Sequence, residues 1–134
     1  MRGLEEFEYG NLENTKKIHA VLSTCLLPCD CIVYRGTSIR AFGQLQQLED
    51  EKWIGEMCYE KGFLSTSLDK TCAFDGEVIM EIHAHKNDNA LYVGYVSSAG
   101  HTEEEVLFDC GQLMRIIDVK NDEIGRKRVV IEIV

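Results

Sequence analysis

Three consecutive glutamates, Glu103, Glu104 and Glu105, are the residues of this chain best suited to acid or base chemistry. They run directly into an apolar segment, and the side chains of an extended strand alternate between its two faces. Glu103 and Glu105 would therefore share one face, with Glu104 on the other. Two carboxylates on one face can divide acid, base and cation-stabilising work. A solvated acidic turn before a strand would have the same sequence.

Two further segments carry polar groups at the edges of predicted strands. Arg35 follows a buried strand predicted for residues 31–34. An arginine in this position serves either as a structural ion-pair partner or as a ligand of phosphate or carboxylate. Ser65, Thr66 and Ser67 place three hydroxyls in a row. Such hydroxyls are common in strands and turns, and a serine can also hold a catalytic carboxylate in place.

The elements that must position these residues begin with a helix and continue mainly as strands. Apolar residues at helical spacing predict a helix over residues 14–27, with Asn14 as its N-cap and Pro28 after its end. A short helix is expected over residues 39–50, then an extended piece and a turn, then a strand over residues 62–67 and a loop to residue 76. Further strands are predicted over residues 78–84, 91–93, 105–108, 114–119 and 129–134. Early helices and later strands, without βαβ alternation, indicate an α+β domain with a mostly antiparallel sheet.

Length, composition and charge limit the classes of function. The chain has 134 residues, which suits one domain over residues 1–134. Its formal net charge of −9 opposes binding to phosphate backbones, so nucleic acid is not an expected partner. No apolar run approaches the length of a membrane span, so no membrane association is expected. The first residues lack the apolar core of a signal peptide, which indicates a protein acting in a cytoplasm or one whose signal has been removed.

The six cysteines are expected to be reduced thiols, because the core looks large enough without disulfide cross-links. Cys25, Cys29 and Cys31, with His19 nearby, are the set that suggests a metal. Their spacing does not match the paired CxxC pattern of a structural zinc site. We therefore expect no metal site.

Taken in order, the three polar segments resemble the motifs of mono-ADP-ribosyltransferases. The resemblance is to the arginine–serine–glutamate branch of that family, which includes bacterial toxins and vertebrate surface enzymes. The three segments are Tyr34-Arg35-Gly36-Thr37, Gly62-Phe63-Leu64-Ser65-Thr66-Ser67 and Glu103-Glu104-Glu105-Val106-Leu107. The resemblance runs over about residues 14–134. Family members usually carry more helix ahead of the arginine strand than this chain does.

The resemblance implies a split β-sandwich, in which two mostly antiparallel sheets enclose a cleft for NAD. The enzyme would cleave the bond between nicotinamide and ribose and pass ADP-ribose to an acceptor. In the family a glutamate at the position of Glu103 goes with arginine acceptors, so the expected partner is a protein with an accessible arginine. A toxin-like member would act as a secreted effector in the cytoplasm of a target cell. The alternatives are an NAD glycohydrolase, with water as acceptor, and a non-catalytic module that binds NAD.

The resemblance also implies roles for individual residues. Glu105, chosen among the three glutamates because it immediately precedes Val106, would stabilise the positive charge on the nicotinamide ribose. Ser65 would orient Glu105, Arg35 would bind an NAD phosphate, and Glu103 would sit at the acceptor. Residues 96–102 would form a mobile loop that meets the protein substrate. The remaining residues expected at the cofactor are Gly36, Thr66, Ser67 and Phe74.

Overall fold

The structure, a computed structural model, describes residues 13–73, 76–98, 101–121 and 125–134, with side chains omitted for residues 72–73, 94–98 and 101–103. Helix α1 spans residues 13–22, and 3-10 segments cover Ile39–Gln47, Asp50–Trp53 and Lys70–Ala73. The strands are β1 (Cys31–Thr37), β2 (Met57–Glu60), β3 (Leu64–Ser67), β4 (Val78–Ala84), β5 (Ala90–Ser98), β6 (His101–Phe108), β7 (Gln112–Asn121) and β8 (Lys127–Ile133). None of the helices in these ranges is long and apolar enough to cross a membrane.

The eight strands of the described ranges hydrogen-bond in the order β2-β7-β8-β4-β1-β3-β6-β5. Every neighbouring pair is antiparallel except β4 with β8, which run parallel. Strands β1 and β3 are joined by one residue pair, Tyr34 with Ser67. Because this link is so short, the sheet has two halves: a five-stranded half, from β2 to β1, and a three-stranded half, from β3 to β5. The predicted α+β fold with a mostly antiparallel sheet is confirmed, and a single ladder pair connects its two halves.

One hydrophobic core joins the two halves of the sheet. Leu64 and Phe108 of the three-stranded half pack in the same cluster as Val33, Ile82 and Ile131 of the five-stranded half. None of these five side chains is more than 1% exposed. Burying side chains of this size stabilises the fold by about 1.5–3 kcal/mol each. The core therefore fixes the position of the strands that carry the polar motifs.

Helix α1 ends at residue 22, although the sequence pattern predicted residue 27. The Asn89 side-chain amide donates hydrogen bonds to the carbonyl oxygens of Ser23, at 3.1 Å, and Cys25, at 3.2 Å. These bonds hold the chain in a turn where the apolar spacing would have continued the helix. Asn14 lies inside the helix, so its predicted role as N-cap was wrong.

The chain between β1 and β2 also differs from its prediction. Arg35, expected just after a strand, lies within β1. The helix predicted over residues 39–50 is a 3-10 segment, Ile39–Gln47, that is interrupted at Gly43. Gly43 has a φ of 54°, a left-handed conformation that glycine adopts without steric cost.

The loop predicted over residues 96–102 belongs largely to a β-hairpin, so that prediction was wrong. Val96 pairs with Glu103, Ser97 with Thr102, and Ser98 with His101 in the ladder between β5 and β6. Backbone hydrogen bonds between the two strands stabilise a segment whose small polar residues alone are typical of a loop. Residues 99–100 lie outside the described ranges.

Gly76 lies directly against β1 beside Arg35. A Cβ atom at residue 76 would come within 2.5 Å of the Gly36 Cα and 2.6 Å of the Thr37 nitrogen. Both contacts are with backbone, which cannot move aside as a flexible side chain can. Only glycine permits this approach.

Replacing Gly76 by alanine should therefore lower the free energy of unfolding by about 1–3 kcal/mol, because the added methyl group overpacks a filled space. Urea denaturation followed by circular dichroism measures the change. Gly62→Ala is the matched control, since a Cβ at residue 62 meets no atom within 4 Å. Equal unfolding midpoints for the two variants would show that the contact at Gly76 relaxes without cost.

Candidate active site

The three polar motifs meet on neighbouring strands. Arg35 lies on β1, Ser65 on β3 and Glu105 on β6. The sheet order places β3 between β1 and β6. Residues that are 30 and 40 positions apart in the sequence thus become direct neighbours.

Two hydrogen bonds link Arg35, Ser65 and Glu105. The Arg35 guanidinium donates from Nη1 to the Ser65 carbonyl oxygen at 2.9 Å. The Ser65 hydroxyl donates to Oε2 of Glu105. In the described part of the chain, Arg35 and Glu105 form no ion pair with each other. The serine thus holds a cation through its backbone and a carboxylate through its side chain, and each charge stays available to a ligand.

Strand register explains why Ser65 reaches Glu105. Ser67 lies directly opposite Glu105 in the ladder between β3 and β6, and Ser65 is two residues from Ser67. Ser65 and Glu105 are therefore diagonal neighbours on one face of the sheet, a distance that a glutamate side chain can span. Alternation along β6 puts Glu104 on the face opposite Glu105. The side chain of Glu103 lies outside the described residues.

The other two hydroxyls of the motif brace strand β3. Thr66 Oγ1 donates to the carbonyl oxygen of Val106 at 2.7 Å, which adds a bond to the ladder with β6. Ser67 Oγ accepts from the backbone amide of Asp69 at 3.0 Å, which shapes the turn after the strand. Thr66 and Ser67 are both buried, so their hydroxyls support the site from within the protein.

The segment that follows β3 turns back toward β1. Oδ1 of Asp69 accepts hydrogen bonds from the Thr71 amide, at 2.9 Å, and the Thr71 hydroxyl, at 2.7 Å. Because these bonds favour the charged carboxylate, they lower the pKa of Asp69. Gly36, another residue expected at the cofactor, is covered by Gly76. Phe74 lies outside the described residues, and its stacking on nicotinamide stays a prediction.

Arg35 also lines a cavity of about 210 Å³, whose walls come mainly from the five-stranded half of the sheet and the 3-10 segment Ile39–Gln47. Small-molecule sites usually measure about 300–1,000 Å³, so this cavity can hold only part of a dinucleotide. The other polar side chains on its walls include the phenol of Tyr59 and the carboxylate of Glu60, both on β2. No motif in the sequence points to Tyr59 or Glu60, because the fold alone brings β2 to the cavity.

Glycine stands opposite Glu105 on the outer strand of the three-stranded half. Gly94 of β5 pairs with Glu105, and the register shifts between Tyr92 and Gly94. Residues directly opposite in an antiparallel ladder project to the same face, so the residue paired with Glu105 on this strand carries no side chain. A lone glycine inside an apolar strand is a known signal for a bulge or a close approach, and it could have marked this position.

Comparison with known proteins decides the family. A sequence profile described as ADP-ribosyltransferase exoenzyme matches residues 4–134, and this range contains all three motifs. The chain belongs to the ADP-ribosyltransferase exoenzyme family. Membership assigns the chain to ADP-ribosyl transfer and leaves the acceptor open. A search of curated proteins found no match.

Solved structures similar to this exoenzyme include three bacterial proteins. The ADP-ribosyltransferase toxin Plx2a from Paenibacillus larvae superimposes with a TM-score of 0.77 at 25% identity, over 91% of this chain and 70% of that chain. An ADP-ribosyltransferase from Clostridium botulinum gives a TM-score of 0.76 at 18% identity, over 98% of this chain and 76% of that chain. C3stau2 from S. aureus, solved with NAD, gives a TM-score of 0.73 at 17% identity, over 91% of this chain and 70% of that chain. The last two likenesses establish the fold.

The hydroxyls of Thr66 and Ser65 should differ in their effect on the stability of this exoenzyme. Thr66→Val should lower the free energy of unfolding by about 1–3 kcal/mol, because the Val106 carbonyl loses a buried donor. Ser65→Ala should change it by less than about 0.5 kcal/mol, since the hydrogen bond to Glu105 is exposed and water can replace the hydroxyl. Urea denaturation of both variants measures this difference. An equal loss in the two would mean that Ser65 is mainly a structural brace.

Proposed function

We propose that this chain is an NAD-dependent mono-ADP-ribosyltransferase that modifies an arginine of a target protein and releases nicotinamide. The observation that carries the proposal is the hydrogen-bonded series Arg35–Ser65–Glu105, with Glu103 two residues before Glu105 on the same strand. Two structural relatives, C3stau2 and the enterotoxin component BECa of C. perfringens, were solved with NAD and NADH respectively. Since several relatives are toxins, we expect the target protein inside a cell that the enzyme enters.

Glu105 stabilises the ribose cation as nicotinamide leaves. Cleavage of that glycosidic bond produces oxocarbenium character on the ribose, as in glycoside hydrolysis. A fixed carboxylate beside the cationic carbon stabilises the transition state more than the ground state. Among the described residues Ser65 is the one hydrogen-bond partner of the Glu105 side chain, and it occupies Oε2. Oε1 therefore stays available to the ribose.

Arg35 holds a phosphate of NAD. Its guanidinium has five N–H donors, and one of them is used on the Ser65 carbonyl oxygen. The others can form the paired hydrogen bonds that arginine makes with phosphate oxygens. Because Ser65 already restrains the side chain, part of its conformational freedom is lost before NAD arrives, which favours binding.

Glu103 selects arginine as the acceptor. An arginine guanidinium has a pKa above about 12, so it is a poor nucleophile until a base takes its proton. Glu103 lies about 7 Å from Glu105 along the strand and on the same face, where it can act as that base. The guanidinium nitrogen then forms the new bond to the ribose carbon, the bond to nicotinamide breaks, and the proton passes to Glu103. Negative charge at Glu103 also attracts the cationic side chain.

Glu105→Gln should reduce nicotinamide release from NAD by at least about 100-fold, because glutamine keeps the size of the side chain and loses its charge. Chromatography of released nicotinamide, with the small guanidine agmatine as acceptor, measures the rate. Glu104→Gln is the matched control and should leave the rate nearly unchanged, since Glu104 faces the other way. Equal losses would contradict this assignment of faces. No release by folded wild-type protein would indicate a binding module without catalysis.

Glu103→Gln should separate transfer from hydrolysis. The variant should lose the agmatine-dependent part of nicotinamide release, because nothing takes the proton of the guanidinium. Release to water should persist, since Glu105 and Arg35 are intact. Rates with and without agmatine, together with mass spectrometry of ADP-ribosyl-agmatine, give the comparison. A wild-type rate that is indifferent to agmatine would identify an NAD glycohydrolase, and undiminished transfer by the variant would remove Glu103 from acceptor choice.

A further inference from the structure

Three metal-ligating side chains meet just beyond the C-terminal end of β6. Nδ1 of His19, on α1, lies 2.8 Å from Oδ1 of Asp109 and 3.7 Å from Sγ of Cys110. The three ligand atoms all lie within 4.8 Å of one another. Within the described ranges, no other group of three or more histidine, cysteine, aspartate or glutamate side chains comes this close.

The two separations measured from His19 Nδ1 are close to those of a tetrahedral zinc site. With Zn–N and Zn–O bonds of about 2.0–2.1 Å and a Zn–S bond of about 2.3 Å, neighbouring ligand atoms lie about 3.3–3.6 Å apart. The separation of 3.7 Å between His19 and Cys110 already fits. The separation of 2.8 Å between His19 and Asp109 must open by about 0.5 Å. The His19 side chain is 54% exposed, so a small rotation can provide that opening.

Hydrogen bonds hold the turn that carries Asp109 and Cys110. The Asp109 amide donates to the Asn89 carbonyl oxygen at 3.0 Å, and Gln112 Nε2 donates to the Asp109 carbonyl oxygen at 3.0 Å. The Cys110 amide donates to Oδ1 of Asp109 at 2.9 Å. The Asp109 side chain is only 8% exposed. A buried, restrained carboxylate aimed at a histidine is already arranged as a ligand, and little ordering is needed when an ion binds.

We propose that His19, Asp109 and Cys110 bind a single Zn²⁺ ion, with water as the fourth ligand. Imidazole, carboxylate and thiolate are the ligand types that zinc takes from proteins. Binding converts the Cys110 thiol to a thiolate, and its proton passes to solvent. The exposed side of His19 leaves room for the water.

The ion fastens helix α1 to the turn between β6 and β7. His19 and Asp109 are 90 positions apart in the sequence, so the ion links distant parts of the chain. Asp109 is about 13 Å from Glu105 along β6, which places the ion outside the candidate active site. The zinc site therefore stands whether or not the proposed transferase activity does. The proposed zinc site differs from the expectation of no metal site, because that expectation considered His19 only together with cysteines near it in the sequence.

Cobalt(II) tests the site, because it takes the place of zinc and reports thiolate ligation by its absorption spectrum. Titration of reduced, metal-free protein with cobalt chloride should produce a thiolate-to-cobalt charge-transfer band that saturates at one equivalent. Zinc should displace cobalt and remove the band. Cys110→Ser should abolish the band, and His19→Gln should weaken cobalt binding at least about tenfold.

Two exposed residues of the same types provide matched controls for the cobalt titration. Cys29 is exposed, and the His85 side chain is 44% exposed; both lie outside the cluster. Cys29→Ser and His85→Gln should keep the wild-type band and affinity. A band that survives in Cys110→Ser, or wild-type protein that shows none up to millimolar cobalt, would overturn the proposal.

A thermal measurement gives an independent readout. Zinc should raise the Tm of the wild type, followed by circular dichroism, and should leave the Tm of Cys110→Ser unchanged. An equal rise in both proteins would place the ion at other residues and reject this site.

Discussion

The candidate active site depends on the single residue pair through which β1 meets β3. Tyr34 and Ser67 join the two halves of the sheet, and within the described ranges no further pair continues that ladder. Each strand is meanwhile held on its other side, β1 by β4 and β3 by β6. Beyond the one shared pair, β1 and β3 can therefore diverge while each strand keeps its backbone hydrogen bonds within its own half of the sheet. Arg35 is carried by β1, which pairs with β4, and Glu105 by β6, which pairs with β3, so a ligand between the halves can reach both side chains.

Because the ladder between β1 and β3 has only one residue pair in the described ranges, a carbonyl group of β3 lacks a backbone hydrogen-bond donor. The Ser65 carbonyl points toward β1, where a continued ladder would have supplied a backbone donor. The Arg35 guanidinium supplies that donor instead. This carbonyl is exposed, so water could also supply a donor, and the bond to Arg35 stabilises the split sheet by only about 0.5–1.5 kcal/mol. The structural and the ligand-binding interpretations of Arg35 in the sequence are therefore compatible, because the guanidinium has donors enough for both.

Local pattern and long-range contact explain which features the sequence could predict. Strand β4 has the bounds predicted for it, residues 78–84, because it is rich in apolar residues and three of them, Val78, Ile79 and Ile82, are β-branched. The resemblance carried by the three motifs predicted that Arg35, Ser65 and Glu105 form one site, and the structure places them next to one another. The end of α1 and the hairpin of β5 with β6 were missed, since bonds from Asn89 and from a partner strand determine them. Tyr59 was missed for the same reason. No residue near it in the sequence indicates that β2 lines a cavity.

Core packing, rather than any difference among the three consecutive glutamates, determines which of them faces Ser65. A slip of one residue in β6 would exchange the faces of all its side chains and put Glu104 beside Ser65. That slip would also bring Val106 and Phe108, which are 2% and 0% exposed, out of the core. Losing the burial of two such side chains costs several kcal/mol, whereas the glutamates differ little in energy between the two faces. Packing of Val106 and Phe108 therefore determines which carboxylate meets Ser65, so the chemistry of one face of β6 is specified by hydrophobic burial on the other face.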